Sequence, residues 1–393
     1  MRKNISTRWT AKTKRKYVAV KATLSSSIAD VDAAQWNALL DNDYPFLQHD
    51  FLLALEQHDC LEPWGWQPVV FQIHDDAGQL VAACNSYIKD NSYGEFVFDW
   101  AWADAYQRSQ IPYYPKLVTS IPFTPAQGAR LLARNNDRSL KIELIQLIKS
   151  FCDKQNISSA HFLFCENDDM EALTDESLLT RFDYQYHWHN QQYQSFDDFL
   201  QTLTSKRRKN IKRERRIAVQ DGVQVQIIPG NELNEVQWQK LYEFYRVTFL
   251  LKSGAPTFTL NFFKAVRHYL LAAFATHDDE IVAGAILYQG NNTLYGRHWG
   301  SVAHYDQLHF EVCYYSGIEY CIKNNIARFE PGAQGEHKIW RGFLPVKTRS
   351  AHWIAHEGFR AAIGDFLARE AQAMENYGQD LMEASPYKCG DNK

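Results

Sequence analysis

The densest group of side chains able to do acid–base chemistry lies in the segment RFEPGAQGEHKIWRGFLP, residues 328–345. Glycines at positions 332 and 335 allow the backbone to turn sharply and to approach a ligand closely. A nucleophile that carries a proton must lose it when it attacks, and a neighbouring carboxylate or imidazole is the simplest acceptor. The segment therefore predicts a catalytic loop, with Glu336 as the base and His337 as the second candidate.

Further candidates lie in this loop and at the start of the preceding helix. We expect Glu311 and Glu330 to act with Glu336 and His337, and we expect substrate contacts from Gln334, Lys338, Arg341 and His309. His309, Glu311, Glu330 and His337 are residue types that can bind metal, but their spacing matches no specific metal motif, so no metal is predicted. A structural glycine-rich turn with charged side chains is the alternative interpretation.

A strongly basic run, SKRRKNIKRERR, precedes this region by about a hundred residues. Between positions 206 and 216 eight of eleven residues are Lys or Arg, and the only acid is Glu214. An apolar stripe along the same segment predicts a surface helix that packs on the domain and points its cations outward. We expect it to bind phosphates of RNA or of a phosphorylated ligand through Arg207, Arg208, Lys212 and Arg215. A solvated charged face is the alternative.

Two segments about 200 residues apart resemble each other and predict an internal duplication. Each contains an apolar strand, a His-Asp-Asp turn, a second strand that begins Val-Ala, and an aromatic Tyr-Gly strand. The segments are residues 69–106 and 270–305. Apolar runs separated by such turns are typical of consecutive antiparallel strands.

Helical patterns flank both segments, so the order in each half is helices, strands, a helix and a strand. This order resembles the GNAT acyltransferase fold. We therefore predict an α/β (α+β) protein with tandem GNAT-like domains, each a mixed, mostly antiparallel sheet flanked by helices. The expected boundaries are a basic tail at 1–19, domains at 20–190 and 191–375, and a second tail at 376–393.

Composition and missing motifs narrow the function classes. The net charge is −4 in 393 residues, and the seven cysteines include no C-x-x-C pair, so neither a disulfide framework nor a zinc knuckle is predicted. No Walker A, G-x-G-x-x-G or G-x-S-x-G motif occurs, and the loop SVAHYDQLH lacks the glycine-rich pyrophosphate loop of GNAT enzymes that use acetyl-CoA. The first twenty residues contain no secretory signal pattern, and no apolar run could span a membrane, so a cytoplasmic protein is expected; a transit peptide is the alternative for the basic start.

Several longer motifs resemble the FemAB-like peptidoglycan biosynthesis/recognition family, which comprises predicted N-acyltransferases of the GNAT superfamily. The motifs are PYYPKL, IPFTPAQGARLL, YHWHNQQYQSFDDFLQTLTSKRRKNIKRERR, LYGRHWGS, LHFEVCYYSGIEYCI and RFEPGAQGEHKIWRGFLPVKTRSAHW. The resemblance covers residues 30–375 and adds Arg297 and Trp299, in LYGRHWGS, to the expected substrate-binding set. It implies transfer of an amino acid from aminoacyl-tRNA to the amino group of a peptidoglycan precursor. The EPGAQGEHK segment corresponds to no catalytic residue of the Fem-type relatives.

We therefore expect an N-acyltransferase with no tightly bound cofactor, whose acyl donor is a co-substrate, either aminoacyl-tRNA or acyl-CoA. The expected acceptor is the amine of a peptidoglycan precursor or a related small molecule. Two alternatives stay open: a non-catalytic protein that binds a cell-wall precursor or RNA, and an N-acetyltransferase that uses acyl-CoA.

Overall fold

The computed structural model describes residues 21–40, 42–251, 254–290 and 292–388. The tail expected at 1–19 lies outside these residues. The chain forms two compact units. Unit 1 contains the residues up to Asp183 together with Thr348–Met374, and unit 2 contains Tyr184–Lys347 together with the residues from Glu375 onward.

Apolar, β-branched and aromatic residues form the strands, as the sequence pattern predicts. The strands are β1 (Lys21–Ser25), β2 (Gln67–His74), β3 (Leu80–Lys89), β4 (Lys116–Thr119), β5 (Leu132–Ala133), β6 (Ser159–Cys165), β7 (Leu179–His189), β8 (Gln224–Pro229), β9 (Leu270–His277), β10 (Glu280–Gln289), β11 (Thr293–Ser301), β12 (Arg328–Glu330) and β13 (Leu344–Ile354).

Helices of very different length connect these strands. They are α1 (Ala33–Asn37), α2 (His49–Gln57), α3 (Trp100–Arg108), α4 (Arg138–Gln155), α5 (Asn167–Asp175), α6 (Phe196–Thr202), α7 (Ser205–Ala218), α8 (Glu235–Leu251), α9 (Leu260–Ala265), α10 (Leu308–Phe310), α11 (Ser316–Lys323) and α12 (Glu357–Glu383). A π-helical turn, Glu311–Tyr315, joins α10 to α11. No helix within the described ranges is both long enough and apolar enough to cross a bilayer.

The sheet of unit 1 runs β1, β2, β3, β4, β6, and then the Thr348–Ile354 part of β13. All neighbours are antiparallel except β4 and β6, which are parallel. Its main core lies between this sheet and α4 and α5, where Phe71, Leu144, Ile148 and Phe162 are buried. The α4 helix begins at an N-cap, Asp137, whose carboxylate accepts from the backbone N–H groups of the first turn.

The sheet of unit 2 repeats this plan. It runs β8, β9, β10, β11, β12, and then the Tyr184–His189 part of β7, and only β11 and β12 are parallel. Its core contains the buried Trp188, Phe199, Tyr315 and Phe329. In both units three antiparallel pairings therefore lead into one parallel pair, which is the mixed, mostly antiparallel GNAT-like arrangement predicted from the sequence.

The units differ from the expected sequence boundaries because each takes its last strand from the other half of the chain. Strand β13 contributes to unit 1 and β7 contributes to unit 2. A linear pattern of apolar residues shows that a strand exists but does not show which neighbour it pairs with. The segment expected as a C-terminal tail also differs, because α12 continues to Glu383 and buries Leu381 in unit 2.

The two similar segments agree in their first two strands only. Strands β2 and β3 hold the same places in unit 1 as β9 and β10 hold in unit 2. The third strand predicted at Tyr93-Gly94 is wrong: these residues lie in a loop, whereas Tyr295-Gly296 lie in β11. Strand β4, with the sequence KLVT, occupies the third position in unit 1, and all four of its residues are buried.

Candidate active site

The candidate site in unit 2 begins where the parallel strands β11 and β12 part. They pair only from Thr293 to Tyr295, because β12 ends at Glu330 while β11 continues to Ser301. Next to the last pair, β11 contains a bulge in which Arg297 is the extra residue opposite Ile286 and Leu287 of β10. A bulge bends its strand and re-aims the local side chains. The sheet is therefore open on one side of β11 beyond Gly296.

The predicted catalytic loop follows β12 at this opening. Residues 331–335 lead into a 3-10 helix, Glu336–Arg341. Gly332 and Gly335 have φ angles of +95° and +112°, which a side chain would strain. A Cβ on Gly335 would lie 2.5 Å from the His337 ring, so the ring occupies the space that the missing side chain leaves.

Lys338 is the most unusual ionisable group of the loop. It is 3% exposed, and its Nζ donates to the carbonyl oxygen of Gly332 at 2.8 Å. The pKa of the Lys338 ammonium is lowered to about 7, mainly by burial; Cys313 opposes the shift, and the Arg297 guanidinium adds to it. The side chain is therefore available as both an amine and an ammonium near neutral pH.

His337 lies beside Lys338 and contacts two aromatic rings. Its Nε2 is 3.0 Å from the hydroxyl oxygen of Tyr314, and its ring lies 5.9 Å from that of Phe310. Burial, together with Arg341 and Lys338, lowers the pKa of His337. The imidazole is therefore neutral at pH 7, and Tyr314 orients it.

Glu336, the first candidate for the base, has a different environment. Its side chain is exposed, and it accepts a hydrogen bond from the hydroxyl of Tyr377 at 2.7 Å. Gln334 is exposed as well. The structure thus separates the loop into an outer pair, Gln334 and Glu336, and an inner pair, His337 and Lys338.

Glu311 forms an ion pair instead of lying open in a cleft. Its carboxylate is 3% exposed and accepts from Arg215 Nε at 3.0 Å and from Arg215 Nη2 at 2.8 Å. The same guanidinium contacts Glu319 at 2.8 Å. Burial raises the pKa of Glu311, while Arg215 opposes that change. These contacts attach α7 to the helix that follows β11.

Glu330 and Arg297 lie at the opening of the sheet. The Glu330 side chain is 2% exposed, with Arg297 Nη2 at 3.7 Å and Arg328 Nε at 3.2 Å from its oxygens. Arg297 also donates to the carbonyl oxygen of Gly296 at 2.9 Å. The Glu330 carboxylate thus lies between two guanidinium groups, and these ion pairs hold Arg297 and Arg328 at the opening of the sheet.

Arg341 is buried in a second ion pair with the basic helix. Its Nε and Nη2 donate to the Glu214 carboxylate at 3.1 and 3.0 Å, and the hydroxyl of Tyr315 donates to the same carboxylate. The guanidinium lies 3.4 Å from the centroid of the Phe310 ring. Sequence reasoning missed Glu214 as a functional anchor, although it is the single acid in the basic run.

Trp299 and His309 complete the set of sequence candidates. Their rings are in edge contact, with centroids 5.2 Å apart, and both are partly buried. His309 also contacts the ring of Tyr314 at 5.4 Å. Tyr314 of the π-helical turn thus contacts both His309 of α10 and His337 of the 3-10 helix.

The basic helix α7 has two different faces. All four cations expected to bind phosphates have partners: Arg215 has Glu311 and Glu319, Arg207 lies 4.8 Å from the centroid of the Trp340 ring, Arg208 bonds to Gln201, and Lys212 pairs with Asp197 at 2.8 Å. The other four cations are exposed and have no partner among the described residues. These four, named here the open stripe, are Lys206, Lys209, Arg213 and Arg216.

The spacing of the open stripe places it on one side of α7. Steps of three, four and three residues keep side chains on one helical face, and the stripe extends about 15 Å.

Within the described residues, no group of three or more His, Cys, Asp or Glu side chains could hold a metal ion.

The strand order, the parting of β11 from β12 and the repeat of this plan define a tandem GNAT-like protein. The fold is similar to the C-terminal DUF2156 domain of a protein named as a lysylphosphatidylglycerol synthetase from Agrobacterium fabrum, with a TM-score of 0.54, 9% identity, and coverage of 86% of this chain and 96% of that one. FemX matches with a TM-score of 0.49 and 9% identity over 79% of this chain and 93% of that chain.

A match to a family model shows the family of this chain. The model of the FemAB-like family, described as peptidoglycan biosynthesis/recognition, matches residues 27–389. The chain belongs to this FemAB-like family. No curated protein matches it.

Proposed function

We propose that unit 2 transfers an acyl or aminoacyl group from an ester or thioester donor to an amine, with the amine of a peptidoglycan precursor as the first acceptor to test. The observation that carries this proposal is the buried Lys338, whose pKa is about 7, beside the opening between β11 and β12. A base whose pKa lies near the operating pH is suited to proton transfer. Membership of the family supports the choice of acceptor.

In the proposed reaction the acceptor nitrogen attacks the carbonyl carbon of the donor. As the C–N bond forms, neutral Lys338 accepts the proton that the nitrogen must lose. The C–O or C–S bond then breaks, and the Lys338 ammonium returns that proton to the leaving oxygen or sulfur. No other reactant is required. The proposal thus gives Lys338 the role first expected for Glu336, and His337, which contacts Tyr314, is its neighbour in the chain.

An ester donor is favoured over acyl-CoA. Residues 302–307, between β11 and the next helix, contain no glycine. A pyrophosphate needs backbone N–H groups that approach it closely, and glycine makes this approach possible.

The donor can be tested by incubating the full chain with an amine acceptor and either labelled aminoacyl-tRNA or labelled acyl-CoA. We expect labelled amide from the ester donor. Amide formed from acyl-CoA alone would contradict the ester donor, and no amide from either would favour the binding protein over the enzyme. Donor without enzyme, incubated in parallel, corrects for spontaneous aminolysis of the ester.

We further propose that the open stripe of α7 binds the phosphates of a polyanionic donor such as tRNA. Among the described residues, its four cations have no competing carboxylate, whereas the paired cations of the same helix already have partners. Trp340, which stacks with Arg207, is 47% exposed and is carried by the same 3-10 helix as Lys338. The charged helix and the candidate base are thus directly connected within unit 2.

Changing Lys206, Lys209, Arg213 and Arg216 together to Gln should weaken tRNA binding and reduce its salt dependence. Each lost phosphate contact lowers the slope of log K against log salt by about 0.7 to 0.9. The slope, measured by filter binding between 50 and 200 mM salt, should therefore fall by about three. A matched variant with Arg207, Arg208 and Lys212 changed to Gln should lose less, because these cations already have partners. An unchanged slope in the open-stripe variant would remove RNA from the proposal.

A further inference from the structure

The segment Tyr93–Trp100 of unit 1 reverses the usual distribution of side chains. Its sequence is YGEFVFDW, which contains four aromatic and two acidic residues. Tyr93, Phe96, Phe98 and Trp100 are 64%, 40%, 54% and 44% exposed, whereas Glu95 and Asp99 are 3% and 4% exposed. Exposed aromatic clusters are unfavourable in water, and buried carboxylates are costly. A face with this composition is typical of a binding surface.

The backbone of the segment is also strained. Phe96 has a φ of +61°, a region that a bulky side chain seldom occupies. The adjacent Gly94 has a φ of +81°, and a Cβ there would lie 2.5 Å from the ring of Phe123. This conformation turns Glu95 inward and Phe96 outward. Backbone strain of this kind concentrates at binding sites.

The two buried carboxylates meet a lysine. Lys116 Nζ donates to Glu95 Oε2 at 2.8 Å, to Asp99 Oδ2 at 2.5 Å and to Ser92 Oγ at 2.7 Å. Tyr113 donates to the same Asp99 oxygen at 2.6 Å. One oxygen of each carboxylate is thus well bonded.

The other oxygen of each carboxylate lacks a hydrogen-bond donor. Glu95 Oε1 and Asp99 Oδ1 are buried and accept no hydrogen bond from the described residues. Buried acceptors normally have donors, so these two oxygens indicate a missing partner. Lys89 lies nearby and donates to the carbonyl oxygen of Tyr93 at 3.1 Å. Two lysines therefore already balance two carboxylates, and the missing donors need carry no charge.

We propose that this segment is a saccharide-binding site, in which sugar rings stack on the exposed aromatic faces and sugar hydroxyls donate to Glu95 Oε1 and Asp99 Oδ1. The negative face of an aromatic ring attracts the C–H groups of a pyranose. Carboxylate oxygens accept hydroxyl donors. Because both oxygens are covered in the unliganded chain, the segment must shift for the hydroxyls to reach them.

A lipid surface fits the segment less well. Residues 90–107 contain no Lys or Arg, and the charges exposed there are those of Asp90 and Asp104. Anionic lipids attract basic segments and repel acidic ones. A neutral saccharide has no such conflict.

The inference rests on the proposed function only for the choice of probe, since a peptidoglycan precursor carries N-acetylated amino-sugar rings. The full-length protein is titrated with the trisaccharide of N-acetylglucosamine, by calorimetry and by tryptophan fluorescence. We expect saturable binding that weakens about tenfold or more when Tyr93 and Trp100 are both changed to Ala. Glu95→Gln should weaken it similarly. Phe366→Ala, a control in unit 1 with comparable exposure, should leave it unchanged.

The aromatic variants alter only surface side chains, so they keep the test decisive if Glu95→Gln unfolds. No binding of the trisaccharide, or equal binding by the Tyr93→Ala/Trp100→Ala variant, would overturn the proposal. Sedimentation with phosphatidylcholine vesicles that depends on Trp100, without sugar binding, would assign the segment to a lipid surface instead. Binding in a protein that lacks acyl transfer would support the saccharide site while contradicting the proposed function, so the two failures are distinguishable.

Discussion

Replacing Lys338 with Met should reduce acyl transfer by about a hundred- to ten-thousandfold, because the variant lacks the group that removes the proton from the attacking amine. The apolar Met side chain fits a site that is 3% exposed, so the fold should be retained. Single-turnover measurements with the active donor report the chemical step directly. Circular dichroism of the same samples verifies the fold.

The pH dependence provides a second test of this role. Burial lowers the pKa of Lys338 to about 7, and only the neutral amine accepts a proton. Transfer should therefore increase about tenfold per pH unit below pH 7 and level off above it. The residual activity of Lys338→Met should lack this step.

Three matched variants assign the base. Lys323→Met, which changes an exposed lysine of α11, should keep full activity. Glu336→Gln and His337→Ala should retain the pH step of the wild type. Wild-type turnover in Lys338→Met, with loss in either of the other two, would return the role of base to Glu336 or His337.

Replacing Glu214 with Gln should lower the free energy of unfolding by about 3–5 kcal/mol. The pair that Glu214 forms with Arg341 is largely buried, with side chains 15% and 7% exposed, and removal of one partner leaves a buried charge uncompensated. Gln also keeps only one acceptor oxygen, whereas Arg341 and Tyr315 share two oxygens of Glu214. Urea denaturation followed by circular dichroism measures this change.

Two further variants distinguish the loss of this ion pair from a general destabilisation of the fold. Adding Arg341→Met to Glu214→Gln should recover much of the loss, because no buried charge then remains. Glu243→Gln breaks an exposed pair with Lys240 and should change stability by less than about 0.5 kcal/mol. A loss of similar size in Glu243→Gln and Glu214→Gln would contradict the special role of the buried pair.

The sequence alone predicts the main strands and the basic helix around the site. Strands β9 and β10 are runs of apolar residues between turn residues, and α7 has an apolar stripe that ends in the buried Ile211 and Ala218. Such periodic patterns are local, so they can be recognised without knowledge of the fold. The tandem GNAT-like plan follows from their order.

The third strand of unit 1 shows where local similarity fails. Tyr93-Gly94 and Tyr295-Gly296 are alike in sequence, but only the second pair lies in a strand. In unit 1 the aromatic residues that follow are exposed and the acids are buried. Strand propensity does not determine this outcome, because it depends on which neighbours cover each side chain.

The basic run and the catalytic loop show what only the tertiary structure decides. Their composition predicts anion binding and acid–base chemistry. Which cations are open and which group has a pKa near 7 depend on partners far away in the chain: Glu214 pairs with Arg341, Arg215 pairs with Glu311, and burial shifts the pKa of Lys338. Charge and hydrogen-bonding capacity belong to the residue, whereas desolvation and pairing belong to the fold, because both arise from atoms that the chain brings together only when it folds.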